Sequence, residues 1–112
     1  MIIYKILRPE EWSALKAAGE TQGAPIDVTD GFVHFSTAEQ VAETAAKWFA
    51  GQDGLIVAAL DAEALGAPLK WEPSRGGALF PHLYGPLRHA DILWHEALPW
   101  DGTQHVFPDR MK

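Results

Sequence analysis

The chain has 112 residues, a net charge of −6, 47% apolar and 21% charged residues, and no cysteine. That length suits one domain with its own core, burying roughly two-thirds of the surface of the unfolded chain. The missing cysteine excludes disulfides, thiolate catalysis and Cys-ligated zinc or iron–sulfur sites, and the acidic balance disfavours general nucleic-acid binding. No apolar run approaches the ~20 residues of a membrane span. The start, Met1-Ile2-Ile3-Tyr4-Lys5, lacks the basic head and apolar stretch of a signal peptide. A soluble, cytoplasmic protein is the expectation.

Residues 1–7 are β-branched and aromatic and predict a strand. Pro9 suits the first turn of a helix, Glu10 and Glu11 favour its N-terminus, and Trp12, Leu15 and Ala18 recur at helical spacing up to a stop at Gly19. Residues 20–30, rich in Gly, Pro, Thr and Asp, read as a loop. Residues 31–36 read as a second strand. Ser36-Thr37-Ala38-Glu39 then matches a capping box with Ser36 at the cap. The helix that follows places Val41, Ala45, Trp48 and Phe49 on one stripe. Residues 55–60 form a continuous apolar run, which predicts a central strand buried on both faces. Asp61 caps a helical turn reaching Leu65, and residues 69–72 form a short strand stopped by Pro73. Residues 74–78 are a Gly-rich loop carrying Arg75. The prolines in residues 79–87 suggest an edge strand or ordered turn. Residues 91–97 read as a strand, and 104–107 as a short last one. Strands outnumber helices and the helices fall mainly in the first half, so the fold class is α+β and the chain one domain.

Side chains of a strand alternate between faces. In residues 31–36, Val33 and Phe35 enter the core while Phe32, His34 and Ser36 share the other face. His34 and Ser36 would stand roughly 7 Å apart at Cα by two residues of strand rise. Ser36 at a helix start would place an anion or phosphate near free backbone N–H groups. The plainer alternative makes Ser36 a cap and His34 a satisfied, semi-buried side chain. In Phe80-Pro81-His82-Leu83-Tyr84-Gly85-Pro86, His82 and Tyr84 face the same way on a backbone stiffened by proline. His82 suits acid, base or donor work, and Tyr84 suits stacking or donation; a proline-stiffened edge without chemistry is the alternative. Glu72 could hold a ribose hydroxyl or act as a base, and Arg75 could capture phosphate or carboxylate; solvated charges are the alternative for both. The five histidines include no i, i+4 helical pair and no HxH strand pair, so no metal site is expected. No GxSxG, P-loop or dinucleotide fingerprint occurs.

Ile3-Tyr4-Lys5-Ile6, Gly31-Phe32-Val33-His34-Phe35-Ser36-Thr37-Ala38-Glu39-Gln40 and Phe80-Pro81-His82-Leu83-Tyr84-Gly85-Pro86-Leu87 resemble the bacterial family called domain of unknown function family 952. That resemblance implies an ADP-ribosyltransferase-like fold: a split, curved, mostly antiparallel sheet with two main helices in the N-terminal half and a NAD cleft. Val33-His34-Phe35-Ser36, with its alanine-rich helix and the strand that follows, is also similar to RNA 2′-phosphotransferases, whose His-x-Ser pair touches NAD. The resemblance thus implies NAD as cofactor, touched by His34 and Ser36, and the reading of the residues adds Arg75 and Lys5 as binding residues. The candidate catalytic residues, on the reading of the residues themselves, are His34, His82, Tyr84 and Glu72. Lys5 stands where the family pattern has a histidine for the adenosine ribose, and a charged lysine suits a phosphate contact instead. The expected function is an ADP-ribosyl- or phosphotransferase-like enzyme acting on NAD or a related small phosphorylated nucleotide or metabolite. The alternative is a non-catalytic module that keeps the cleft to bind a small ligand or dock a partner.

Overall fold

The computed structural model describes residues 1–111, without the side chain of Arg75. In chain order the elements are β1 (Ile2–Leu7), α1 (Pro9–Ala18), β2 (Glu20–Thr21), α2 (Pro25–Asp30), β3 (Val33–His34) and α3 (Ala38–Trp48). They continue with β4 (Leu55–Asp61), α4 (Ala62–Leu65), β5 (Leu69–Pro73), β6 (Leu79–Leu83), β7 (Leu87–Arg88) and β8 (Ile92–Leu98). The strands form two three-stranded sheets, β1-β4-β8 and β3-β6-β5, and a two-stranded β2-β7 ribbon, all antiparallel. Among the described residues no helix is long and apolar enough to cross a membrane.

The apolar run of β4 is buried on both faces because β4 is the middle strand between two cores. Leu55, Val57 and Ala59 face one side, where Tyr4, Ile6 and Leu98 join Val41 and Ala45 of α3. Ala58 and Leu60 face the other, with Ile3 and Leu7, Trp12 and Leu15 of α1, and Val33, Phe35 and Leu83 of the second sheet. A fully buried Leu or Val side chain contributes about 1.5–3 kcal/mol, so these two layers carry the fold. The sheets join where Tyr4 and Ser36 exchange backbone hydrogen bonds of 2.8 and 2.9 Å. Lys5 lies on the β1 face shared by Ile3 and Leu7, so its side chain points between the sheets.

The first three helices share one device. The side chain three residues past each cap accepts the cap's backbone N–H: Glu11 from Arg8 in α1, Asp27 from Ala24 in α2, Gln40 from Thr37 in α3. The cap of α3 is therefore Thr37 and not Ser36, one residue later than expected. Ser36 cannot cap because its backbone is tied to Tyr4. Gly19 ends α1 and Asp61 caps α4, both as the sequence predicts.

Four further expectations are corrected. Residues 20–30 are not a loop but β2 and α2, with Pro25 at the first helical position and Gly31 as the left-handed stop. Trp48 is not on the buried stripe; it is 60% exposed, because α3 ends there and the apolar contact passes to Phe49. Residues 79–83 form no edge strand, since β6 lies between β3 and β5. Pro81 is tolerated there because the N–H and C=O of a strand residue point the same way. The Pro81 carbonyl accepts Phe35 N–H, so the missing donor faces β3 beyond its last paired residue, and the β5 ladder is intact. Residues 104–107 are not a strand either. Asp101 draws the N–H groups of Thr103 and Gln104 into a tight turn, leaving only the Trp100–His105 bridge.

Candidate functional site

The pairing of β3 with β6 sets His34 directly opposite His82, and that of β6 with β5 sets Lys70 opposite His82. Directly opposed residues share a face, and diagonal ones two residues on lie within reach. Phe32, His34, His82, Tyr84, Lys70 and Glu72 therefore gather on one face of this sheet, while Val33, Phe35 and Leu83 fill the core on the other. The imidazoles of His34 and His82 meet edge to face with centroids 5.3 Å apart. Two segments far apart in the chain thus converge.

Glu72 organises the β6 side. Its Oε1 accepts from His82 Nδ1 at 2.8 Å and from the Tyr84 hydroxyl at 2.8 Å. The bonds from His82 and then Tyr84 hold the Glu72 carboxyl below its ordinary range, and the bond to Glu72 raises the Tyr84 phenol. A carboxylate on Nδ1 fixes the tautomer, so the neutral His82 ring carries its lone pair on Nε2. His82 is 4% exposed, and Nε2 has no hydrogen-bond partner among the described residues. A buried acceptor without a donor costs about 1–3 kcal/mol.

Asp27 organises the β3 side. Its fully buried carboxylate accepts from His34 Nδ1 at 2.5 Å, His34 N–H at 3.1 Å, Lys5 Nζ at 2.8 Å and Ala24 N–H at 2.7 Å. Asp30, one turn on in α2, takes His34 Nε2 at 3.0 Å. His34 is thus oriented by a carboxylate on each nitrogen, with a side chain 32% exposed. Burial pushes the Asp27 carboxyl up, but the His34 hydrogen bond, the Lys5 charge and the further bonds outweigh it and hold it at about 2.

This depression is testable. A carboxyl held at about 2, against an ordinary 3.8, contributes stability that is fully present above pH ~4 and is lost as pH falls through about 2. The expected loss on acidification is about 2 kcal/mol. Titration of the Asp27 carboxyl carbon by NMR should show the group about nine-tenths ionised at pH 3, and an ordinary midpoint would refute the assignment.

Not every expected site residue lies on this face. Lys5 is buried and ion-paired to Asp27, so it holds the loop and helix before β3 in place and does not present its charge to a phosphate. Ser36 is 5% exposed, and its hydroxyl bonds Thr44 Oγ1 at 3.1 Å. It supports the junction of sheet and α3, not a helix-start anion site. The Arg75 side chain lies outside the described residues. Sequence reasoning missed Asp27, Asp30, Phe32 and Lys70 as site residues. Pro25-Ile26-Asp27 followed by Gly31 was the available signal for a helix with Asp27 at its reach-back position.

The model of a family described as "Protein of unknown function (DUF952)" matches residues 6–95. The crystal structure of protein CC0527 from Caulobacter crescentus is 48% identical, with a TM-score of 0.94 over 99% of this chain and 98% of that one. The solution NMR structure of the same protein gives 51% identity and a TM-score of 0.83, over 93% and 90% of the two chains. No curated protein matches the chain. With the family model covering most of its length, this chain belongs to the DUF952 family.

Proposed function

We propose that the chain is an ADP-ribosyl- or phosphotransferase-like enzyme that takes NAD or a related small phosphorylated nucleotide on the face of β3, β6 and β5. The observation that carries this reading is the His34–His82 pair, opposed across two strands and each oriented by a carboxylate. The division into two antiparallel sheets joined at Tyr4 and Ser36 supports an ADP-ribosyltransferase-like arrangement. Such a transfer breaks the ribose–nicotinamide bond and joins the ribose carbon to an acceptor oxygen, whose proton a base must take. His82, whose Nε2 has no partner among the described residues, is the imidazole on this face suited to that work, while His34, held by a carboxylate on each nitrogen, orients the substrate beside it. Tyr84 and Phe32 offer rings for stacking. The residues fit the nucleotide with one change from expectation: Lys70, exposed and opposite His82, replaces buried Lys5 as the cation for a phosphate.

The buried Lys5–Asp27 pair favours the second reading, a non-catalytic module that binds the same ligand. Titration of the protein with NAD and ADP-ribose, followed by amide and side-chain NMR, tests both. Shifts centred on His34, His82, Tyr84 and Lys70 are expected, with slow nicotinamide release from NAD. His34→Ala and His82→Ala should each abolish release while leaving the fold intact. Binding without release selects the module. No response to either nucleotide at millimolar concentration overturns both readings.

A further inference from the structure

Phe32 holds a place unlike that of the other aromatic residues near β3. Phe35 sits in the core, but Phe32 belongs to neither hydrophobic core. Its ring lies instead among the rings of the site: stacked on His82 at 4.2 Å, and tilted against His34 at 4.6 Å and Tyr84 at 5.2 Å. It is only half-buried. It follows Gly31, the left-handed residue at φ +87 that ends α2, and precedes the first paired residue of β3, so no ladder partner holds it. The ring it covers is the one with an unsatisfied atom. His82 is 4% exposed, Glu72 occupies Nδ1, and Nε2 is left as an acceptor with no donor among the described residues.

A planar side chain stacked over an unsatisfied, oriented imidazole has the shape of a slot filled from within. We propose that Phe32 is a displaceable cover. A planar heteroaromatic ring takes its place against His34 and Tyr84, turned edge-on to His82 so that its N–H or O–H reaches Nε2 in the imidazole plane. The exchange trades one aromatic contact for another and supplies the hydrogen bond that Phe32 cannot give. Glu72 and Tyr84 act as positioning residues, since they hold the ring so that Nε2 is the acceptor. The inference rests on reading this face as a ligand site, but not on the ligand being a dinucleotide.

The test uses adenine and nicotinamide, both planar rings with an N–H donor, and benzene as a ring without one. Binding is followed through the side-chain nitrogen resonances of histidine-labelled protein. Wild type opens only part of the time, which lowers its apparent affinity by that fraction. Phe32→Ala should therefore bind adenine or nicotinamide about tenfold tighter than wild type does. His82 Nε2 should move toward its hydrogen-bonded range, and benzene should not move it. Phe32→Leu gives the same readout if the alanine variant fails to fold. The slot is overturned if Nε2 stays still in a folded variant at millimolar ligand, or if benzene binds as well as either heteroaromatic ring. ADP-ribose bound by wild type with Phe32 and His82 silent would also overturn it, and would leave the nucleotide reading standing. Adenine on His82 without any binding of NAD or ADP-ribose would support the slot and end that reading.

Discussion

Replacing Asp27 by alanine is expected to destabilise the fold by about 3–5 kcal/mol, since it breaks a buried ion pair from one side. The carboxylate accepts from the ammonium of Lys5, the ring and backbone of His34, and the backbone of Ala24. Its removal strands Lys5, whose side chain is 9% exposed, on a core face between Ile3 and Leu7. It also deprives α2 of its reach-back bond and His34 of its orienting partner. At the usual entropy of unfolding for a domain of about this size, the melting temperature should fall by roughly 15–20 °C. Lys5→Met provides the contrast. It leaves Asp27 with His34 and two backbone donors and puts an apolar chain among apolar neighbours, so its cost should be about 1–2 kcal/mol or less. Urea unfolding of both variants checks the ranking. An alanine variant within 1 kcal/mol of wild type would show that Asp27 does not hold the fold together.

Gly23→Ala is expected to cost about 2–4 kcal/mol, through a left-handed backbone and an overpacked neighbour together. Gly23 has φ +103, which L side chains rarely adopt, and a Cβ there would fall 2.3 Å from Asp27 Oδ2 and 2.6 Å from Asp27 Cβ. Asp27 cannot yield, because both of its oxygens are engaged and it has no exposed side. The variant should thus lose stability and also change the His34 ring, whose nitrogen resonances report on the same carboxylate. Gly19→Ala is the control: φ is similarly positive at +83, but no atom lies within 4 Å of a Cβ, so only the backbone cost remains. Equal losses at the two glycines would show that contact with Asp27 is not what demands glycine at position 23.

These two positions make one region, the turn and helix from Gly23 to Gly31, the main determinant of how His34 is held. Its role separates this site from a surface histidine. His34 meets Asp27 inside and Asp30 outside, so this ring ties α2 to β3. His82 is held independently by Glu72 from the opposite edge. The two imidazoles can then be perturbed separately, which is what the variants above use.

Local signals in the sequence determined much of this protein. The unbroken apolar run 55–60 implied a strand covered on both faces, and β4 is that strand. Alternation in residues 31–36 sent Val33 and Phe35 inward and His34 outward, and the same logic put Tyr84 beside His82. Pro9 and Gly19 bracketed α1. Each of these follows from forces acting within a few residues: pleat, helical pitch, a fixed φ or a freed one. Tertiary structure alone decided the rest. Lys5 looks like an available cation until β1 turns it between two sheets toward Asp27, twenty-two residues away. Ser36 looks like a cap until Tyr4 claims its backbone. The prolines at 81 and 86 suggest an edge until β3 and β5 flank β6. In every such case the deciding partner is distant in the chain. A charge or a backbone donor can be satisfied in many ways, and only the packed fold selects which.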